Sequence, residues 1–132
     1  MDILELRELC LSLPETEETL PFNETTLVYK VAGKMFAMTD MEHSESVTLK
    51  CDPELGIILR DRYDEISEAY HMNKKHWITV GICGDLPSDM IRELVRHSYV
   101  SVISKFPRNQ HERFAEIISD SERSSLSALR NH

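Results

Sequence analysis

Thr26-Leu27-Val28-Tyr29-Lys30-Val31-Ala32-Gly33-Lys34-Met35-Phe36-Ala37-Met38-Thr39 is the stretch whose reading decides the fold. Successive side chains of a strand point to opposite faces, so Leu27, Tyr29 and Val31 share one face and Val28 and Lys30 the other. Ala32-Gly33 reads as a tight turn, because Gly33 takes a positive φ at no steric cost. Lys34 to Thr39 is then the returning strand. A polar stretch, Asp40 to Glu45, leads into Ser46-Val47-Thr48-Leu49-Lys50, which alternates as a third strand. Three strands joined by short turns predict an antiparallel meander.

Upstream of the meander, Asp2 and Glu5 make a capping-box-like pair ahead of the helical stripe Ile3, Leu6, Leu9, Cys10 and Leu13. Pro14 ends that helix. Glu15 to Thr19 reads as an acidic loop. Downstream, Asp52-Pro53-Glu54 is the strongest helix start in the chain, with Asp52 as cap and Pro53 preset for the first helical position. That helix runs to about Tyr63 on the stripe Leu55, Ile58 and Leu59. Gly56 within it costs about 1 kcal/mol relative to Ala, so the helix leans on packing. Ile78, Val80 and Ile82 form one face of a further strand. A long amphipathic helix from about Ser88 to Lys105 carries Met90, Ile91, Leu94, Val95, Val102 and Ile103, and Pro107 closes it.

The predicted order is α-β-β-β-α-β-β-α with a C-terminal tail. Strands in a run followed by helices indicate α+β: a two-layer sandwich, with an antiparallel sheet of about five strands, helices on one face and the other face partly open. Residues 1–107 read as one domain. Residues 108–132 read as an extension, in which Phe114, Ile117 and Ile118 form a short docking helix and the Ser-rich stretch from Ser119 frays. Val47, Leu49, Ile78, Val80, Leu94 and Val95 are expected in one core.

The 132 residues are 41% hydrophobic and 29% charged, enough for a core without a disulfide or metal staple. Net charge is −8, from 15 Lys and Arg against 23 Asp and Glu, so a global basic footprint for nucleic acid is absent. Three widely spaced cysteines, Cys10, Cys51 and Cys83, form no CxxC or Cys/His metal signature. The acidic, amphipathic N-terminus is unlike a signal peptide, and no apolar run approaches the roughly 20 residues of a membrane span. A cytoplasmic protein with reduced thiols, monomeric or weakly dimeric, is expected, with Cys51 buried.

Nothing assembles into an active site, and neither a catalytic residue nor a cofactor is predicted. His71 and His76 are five apart, which puts two imidazoles on one metal in neither a helix nor a strand. His97 beside Ser98 in a helix cannot make a nucleophile–base pair, because neighbours diverge. The segment Tyr70-His71-Met72-Asn73-Lys74-Lys75-His76-Trp77 stands apart. It is locally basic in an acidic chain and holds the only Trp. Lysines neutralise phosphates, Asn donates and accepts, and aromatic rings stack on bases. A purely structural role is also coherent, and composition alone favours it: Trp77 anchors a strand edge while Lys74 and Lys75 mark an exposed turn and block edge pairing.

The same residues carry a resemblance. Leu49-Lys50-Cys51-Asp52-Pro53, the segment Tyr70 to Trp77, Asp85-Leu86-Pro87 and His97-Ser98-Tyr99 occur in an order that resembles the MmcQ/YjbR-like family, as do Leu11 to Glu15 and Gly33 to Ala37. The likeness spans nearly the whole chain to about Pro107. It implies a frataxin-like or secretion-chaperone-like α/β architecture and double-stranded DNA binding through a double wing. It implies neither a catalytic residue nor a cofactor. The expected nucleic-acid contacts are Lys30, Lys34, Lys50, Asn73, Lys74, Lys75, His76 and Trp77. The turn at 40–45 departs from that pattern, since Asp40, Glu42 and Glu45 would repel phosphate. The alternative is a binding module for a protein or small ligand that uses the open sheet face.

Overall fold

The computed structural model of the chain describes residues 1–69 and 72–121. The expectations for Tyr70, His71 and the tail past Ser121 fall outside them.

Helix α1 (Ile3–Ser12) begins where the Asp2 carboxylate accepts the Glu5 N–H at 2.8 Å. Strands β2 (Thr26–Val31), β3 (Lys34–Asp40) and β4 (Ser46–Lys50) form the antiparallel meander. Ala32 and Gly33 both take positive φ, 46° and 84°, which matches the hairpin turn to the twist of its strands. Helix α2 (Pro53–Arg62) is capped by Asp52, whose side chain accepts from the Leu55 N–H at 3.1 Å. A Cβ on Gly56 would meet the flexible Arg60 guanidinium at 3.1 Å and lie in ordinary contact, 3.6 Å, with Ile78, so this face of α2 packs directly on the sheet.

Residues 16–19, expected as an acidic loop, instead form edge strand β1 (Thr16–Thr19), antiparallel to β2. With β5 (Ile66–Glu68) and β6 (Trp77–Gly81), the sheet therefore has six strands rather than about five, in the order β1-β2-β3-β4-β6-β5. Local contacts account for the extra strand. Glu15, at φ 59°, turns the chain back from α1, and its carbonyl accepts the Ala32 N–H. Glu18 is tied down, accepting from Arg7 Nε at 2.9 Å and from the Tyr29 hydroxyl at 3.0 Å. Glutamates on a free edge also discourage another chain from pairing there.

Helix α3 (Ser88–Ile103) lies across β2, β3 and β4. Val47, Leu49, Ile78, Val80, Leu94 and Val95 share one core, as expected. A short helix α4 (Arg108–His111), a 3-10 turn (Glu112–Phe114) and α5 (Ala115–Ser121) follow Pro107. They bury Phe114, which meets the Tyr99 ring edge-on at 6.2 Å. Cys10, Cys51 and Cys83 form no disulfide, and Cys51 is buried. No helix among the described residues is long and apolar enough to cross a membrane.

The helices cover the sheet face that carries Tyr29, Ala37, Leu49 and Ile78. On the opposite face the cross-strand register aligns Thr19, Val28, Met38, Thr48, Thr79 and Ser67 in one row across all six strands. This is the partly open face expected of a two-layer sandwich: Val28 is buried, Ser67 exposed and the others half-buried.

Between β3 and β4 the ladder stops early, at Ala37–Leu49. The next rung would join Phe36 to Lys50. The buried Ser98 hydroxyl of α3 replaces it, accepting the Lys50 N–H at 2.9 Å and donating to the Phe36 carbonyl. One residue earlier on the helix, His97 Nε2 accepts the Asp52 N–H at 3.2 Å. The His-Ser pair is thus a clamp that fastens the end of β4 to α3.

Candidate nucleic-acid interface

The clamped end of the sheet is where the predicted basic residues gather. Lys50, the last residue of β4, is the direct cross-strand partner of Trp77, the first of β6. Such partners share a face with Cβ atoms about 5 Å apart. Since Leu49 and Ile78 point into the core, Lys50 and Trp77 stand on the open face, both half-buried. The Cys51 N–H donates to the His76 carbonyl at 2.8 Å, which extends this pairing into the turn that holds Lys74 and Lys75. Both of those lysines are exposed.

Asn73 builds that turn. Its side-chain oxygen accepts the Lys75 N–H at 2.9 Å, and its carbonyl accepts the N–H groups of His76 and Trp77. Its amide oxygen thus holds the turn rather than facing a ligand. Lys74 is offset by Glu68, 3.7 Å away, with both side chains largely exposed. Lys30 stands on the open face opposite Met35, and Glu17 is its cross-strand partner on the other side. Lys34 pairs with the core residue Val31, so it leaves β3 on the helix side, apart from Lys50 and Trp77.

One cation is absent from the sequence expectation. The Lys50 ammonium lies beside that of Lys105, just past the C-terminal end of α3. Desolvation first, and Lys105 second, hold Lys50 below the usual lysine range. Two ammonium groups this close favour an anion between them. Among the described residues, no carboxylate lies within ion-pair distance of Lys34, Lys50, Lys75 or Lys105. Lys105 sits 55 residues from Lys50 in the chain, so only the docking of α3 brings them together.

A family model described as YjbR matches residues 11–101. The chain belongs to the YjbR family. The YjbR protein of Escherichia coli (strain K12) is 31% identical over 118 residues, 89% of this chain and all of that protein. YbdF of Escherichia coli O157:H7 is 31% identical over 108 residues, 81% of this chain and 88% of its own. The crystal structure of Deinococcus radiodurans protein DR2400 superposes with a TM-score of 0.80 at 38% identity, over 86% of this chain and 87% of that one. The α+β architecture is therefore that of the YjbR family's solved neighbours. Lys50, Trp77 and the Ser98 clamp fall within the span matched by the YjbR model, whereas Lys105 and Phe114 lie beyond it.

Proposed function

We propose that this YjbR-family domain is a non-catalytic binding module whose clamped, basic sheet end takes phosphate groups of duplex DNA. The observation that carries this reading is the direct cross-strand pairing of Lys50 with a half-buried Trp77, with Lys105 near enough to help hold Lys50 below the usual lysine range. An anion between the two lysines relieves their repulsion, and the indole offers a surface for stacking or for a sugar. Lys75, exposed in the adjoining turn, adds charge at the rim.

Lys50→Gln with Lys105→Gln tests it by fluorescence anisotropy with a short labelled duplex. Binding at about 50 mM salt should weaken more than about ten-fold, and the salt slope should fall by roughly two, one for each lost phosphate contact. Unchanged affinity removes this pair from the interface, and no binding by the parent chain removes DNA altogether.

The row Thr19, Val28, Met38, Thr48, Thr79 and Ser67 supports a second reading, a protein or small ligand on the open face. Its binding would change little with salt, because the row carries no charge.

A further inference from the structure

At the opposite end of the sheet the chemistry reverses. Four connections meet there: residues 20–25, 41–45, 63–65 and 82–87. They hold Glu24, Glu42, Glu45, Asp64, Glu65 and Asp85 and neither a Lys nor an Arg, although the N-terminal ammonium donates to the Ile82 carbonyl at 2.8 Å. Within this acidic rim stand three of the chain's exposed large apolar side chains, Leu20 (48% exposed), Phe22 (69%) and Met41 (44%). They belong together: Met41 N–H donates to the Thr25 carbonyl at 2.8 Å, joining the loop that carries Leu20 and Phe22 to the turn that carries Met41.

Both segments are held in place. The Asn23 side-chain oxygen accepts the N–H groups of Thr25 and Thr26 at 2.9 and 2.7 Å. The Asp40 carboxylate accepts the Glu42 N–H at 2.9 Å, and the Glu45 carbonyl accepts the Ile82 N–H at 2.8 Å. Phe22 is therefore presented on a fixed loop, which lowers the ordering cost of binding.

We propose that this end is a docking surface for a cationic polypeptide segment that carries an apolar or aromatic side chain. The acidic rim selects the charge, and Leu20, Phe22 and Met41 supply the apolar contact. Charge complementarity favours a cationic occupant. An anionic bilayer would be repelled by the carboxylates. A second copy carries a net charge of −8, which opposes close approach, and only its Lys50 end is complementary, so self-association is an outcome of the test. The proposal is independent of the DNA reading, which concerns the other end of the sheet.

The test is a titration of the isotope-labelled full chain, followed by NMR, with two synthetic peptides of equal lysine content. One is interspersed with Leu and Phe, the other with Ser. The apolar peptide should bind about ten-fold tighter or more, as expected for burying one large apolar side chain. Its shifts should cluster on residues 20–25 and 41–45. Phe22→Ser with Met41→Ser should reduce its affinity to that of the Ser peptide. Both side chains are exposed, so the fold should survive, which circular dichroism checks. Equal affinity for the two peptides, shifts centred on Glu15 to Glu18, or an unaffected double variant would overturn the proposal. So would concentration-dependent self-association abolished by the same double variant, which would make the occupant a second copy.

Discussion

The two ends of this sheet are made from the same strands and differ in almost everything else. At one, Lys50, Trp77 and Lys105 are gathered by long-range contacts: Ser98 reaches Lys50 across 48 residues and Phe36 across 62. At the other, Phe22 and Met41 are presented by short-range hydrogen bonds of Asn23 and Asp40, each spanning two or three residues. The basic end is thus a product of the tertiary fold, while the acidic end is built mostly by its own loops. Strands of 5 to 7 residues separate the two. That is about 16–24 Å, roughly two to three times the physiological screening length of about 8 Å. The net charge of −8 is therefore spread unevenly, with the unpaired lysines gathered at one end and the carboxylates of four connections at the other.

Removing the tertiary tie should break the symmetry most strongly. Ser98→Ala leaves the Lys50 N–H and the Phe36 carbonyl without their partner. We expect a loss of about 1–3 kcal/mol in urea unfolding. Amide exchange should accelerate at Lys50 and Cys51 while Thr26 and Met41 keep their protection. Equal acceleration at both ends would contradict the distinction drawn between them.

Alkali should act next, and also unevenly. Burial first, and Glu15 second, push the Tyr99 hydroxyl up to about 12, where it donates to the Pro14 carbonyl at the basic end. Burial likewise pushes the Cys10 thiol up to about 12, with Glu18 adding to it, and Tyr29 is raised for the same reasons. All three are neutral when protonated, and the fold holds those protons more tightly than the unfolded chain does. Their stabilisation is complete below about pH 9, where unfolded thiols and then phenols begin to ionise, and is lost as pH climbs towards 12. Unfolding monitored by tyrosinate absorbance should show stability falling across that window. A flat profile from pH 9 to 12 would refute the assignment.

The smallest effect should come from relieving the ammonium pair. Lys105→Gln alone should return Lys50 towards the usual lysine range, seen by NMR titration of its Nζ. Because Lys50 is only half-buried and burial outweighs Lys105 in its shift, the stability gain should stay within about 0.5 kcal/mol. The sign follows from linkage: a lysine held below its usual range costs stability while protonated, and the cost fades as pH rises through its folded value. No movement of Lys50 would separate the two lysines and weaken the case for an anion between them.

Much of this was legible in the residues. The Asp2 and Asp52 caps, the positive φ of Gly33 and the alternation in β2, β4 and β6 are local signals, and local signals survive in a single sequence. Strand β1 was hidden because Thr16-Glu17-Glu18-Thr19 has no apolar alternation; its evidence is the reach of Arg7 and Tyr29 to Glu18. The alternation of Val47 and Leu49, and of Ile78 and Val80, puts Lys50 and Trp77 on the sides away from the core, while their direct pairing depends on strand register. Lys105 has no such signal, since its place depends on where α3 ends over the sheet. Asn73 reads as a base-contacting residue from composition, yet an Asn two residues before a backbone N–H is also the common way to close a turn. His97 and Ser98 show no catalytic spacing, and their use as backbone partners for strands 45 to 62 residues away leaves no trace in local pattern.

The serine rung also bears on the birth of the protein. A chain leaving the ribosome releases β2, β3 and β4 long before residue 98 follows. Through that interval the gap between Phe36 and Lys50 has no hydroxyl to close it, and the Lys105 ammonium has yet to be made. The nascent meander can pair its strands and form the Asn23 and Asp40 turns early, so the Leu20, Phe22 and Met41 part of the acidic tip forms before Ile82 and Asp85 complete it, and the basic end forms last. Any partner of the acidic tip could therefore engage the chain during synthesis, whereas DNA could be held only by a finished molecule.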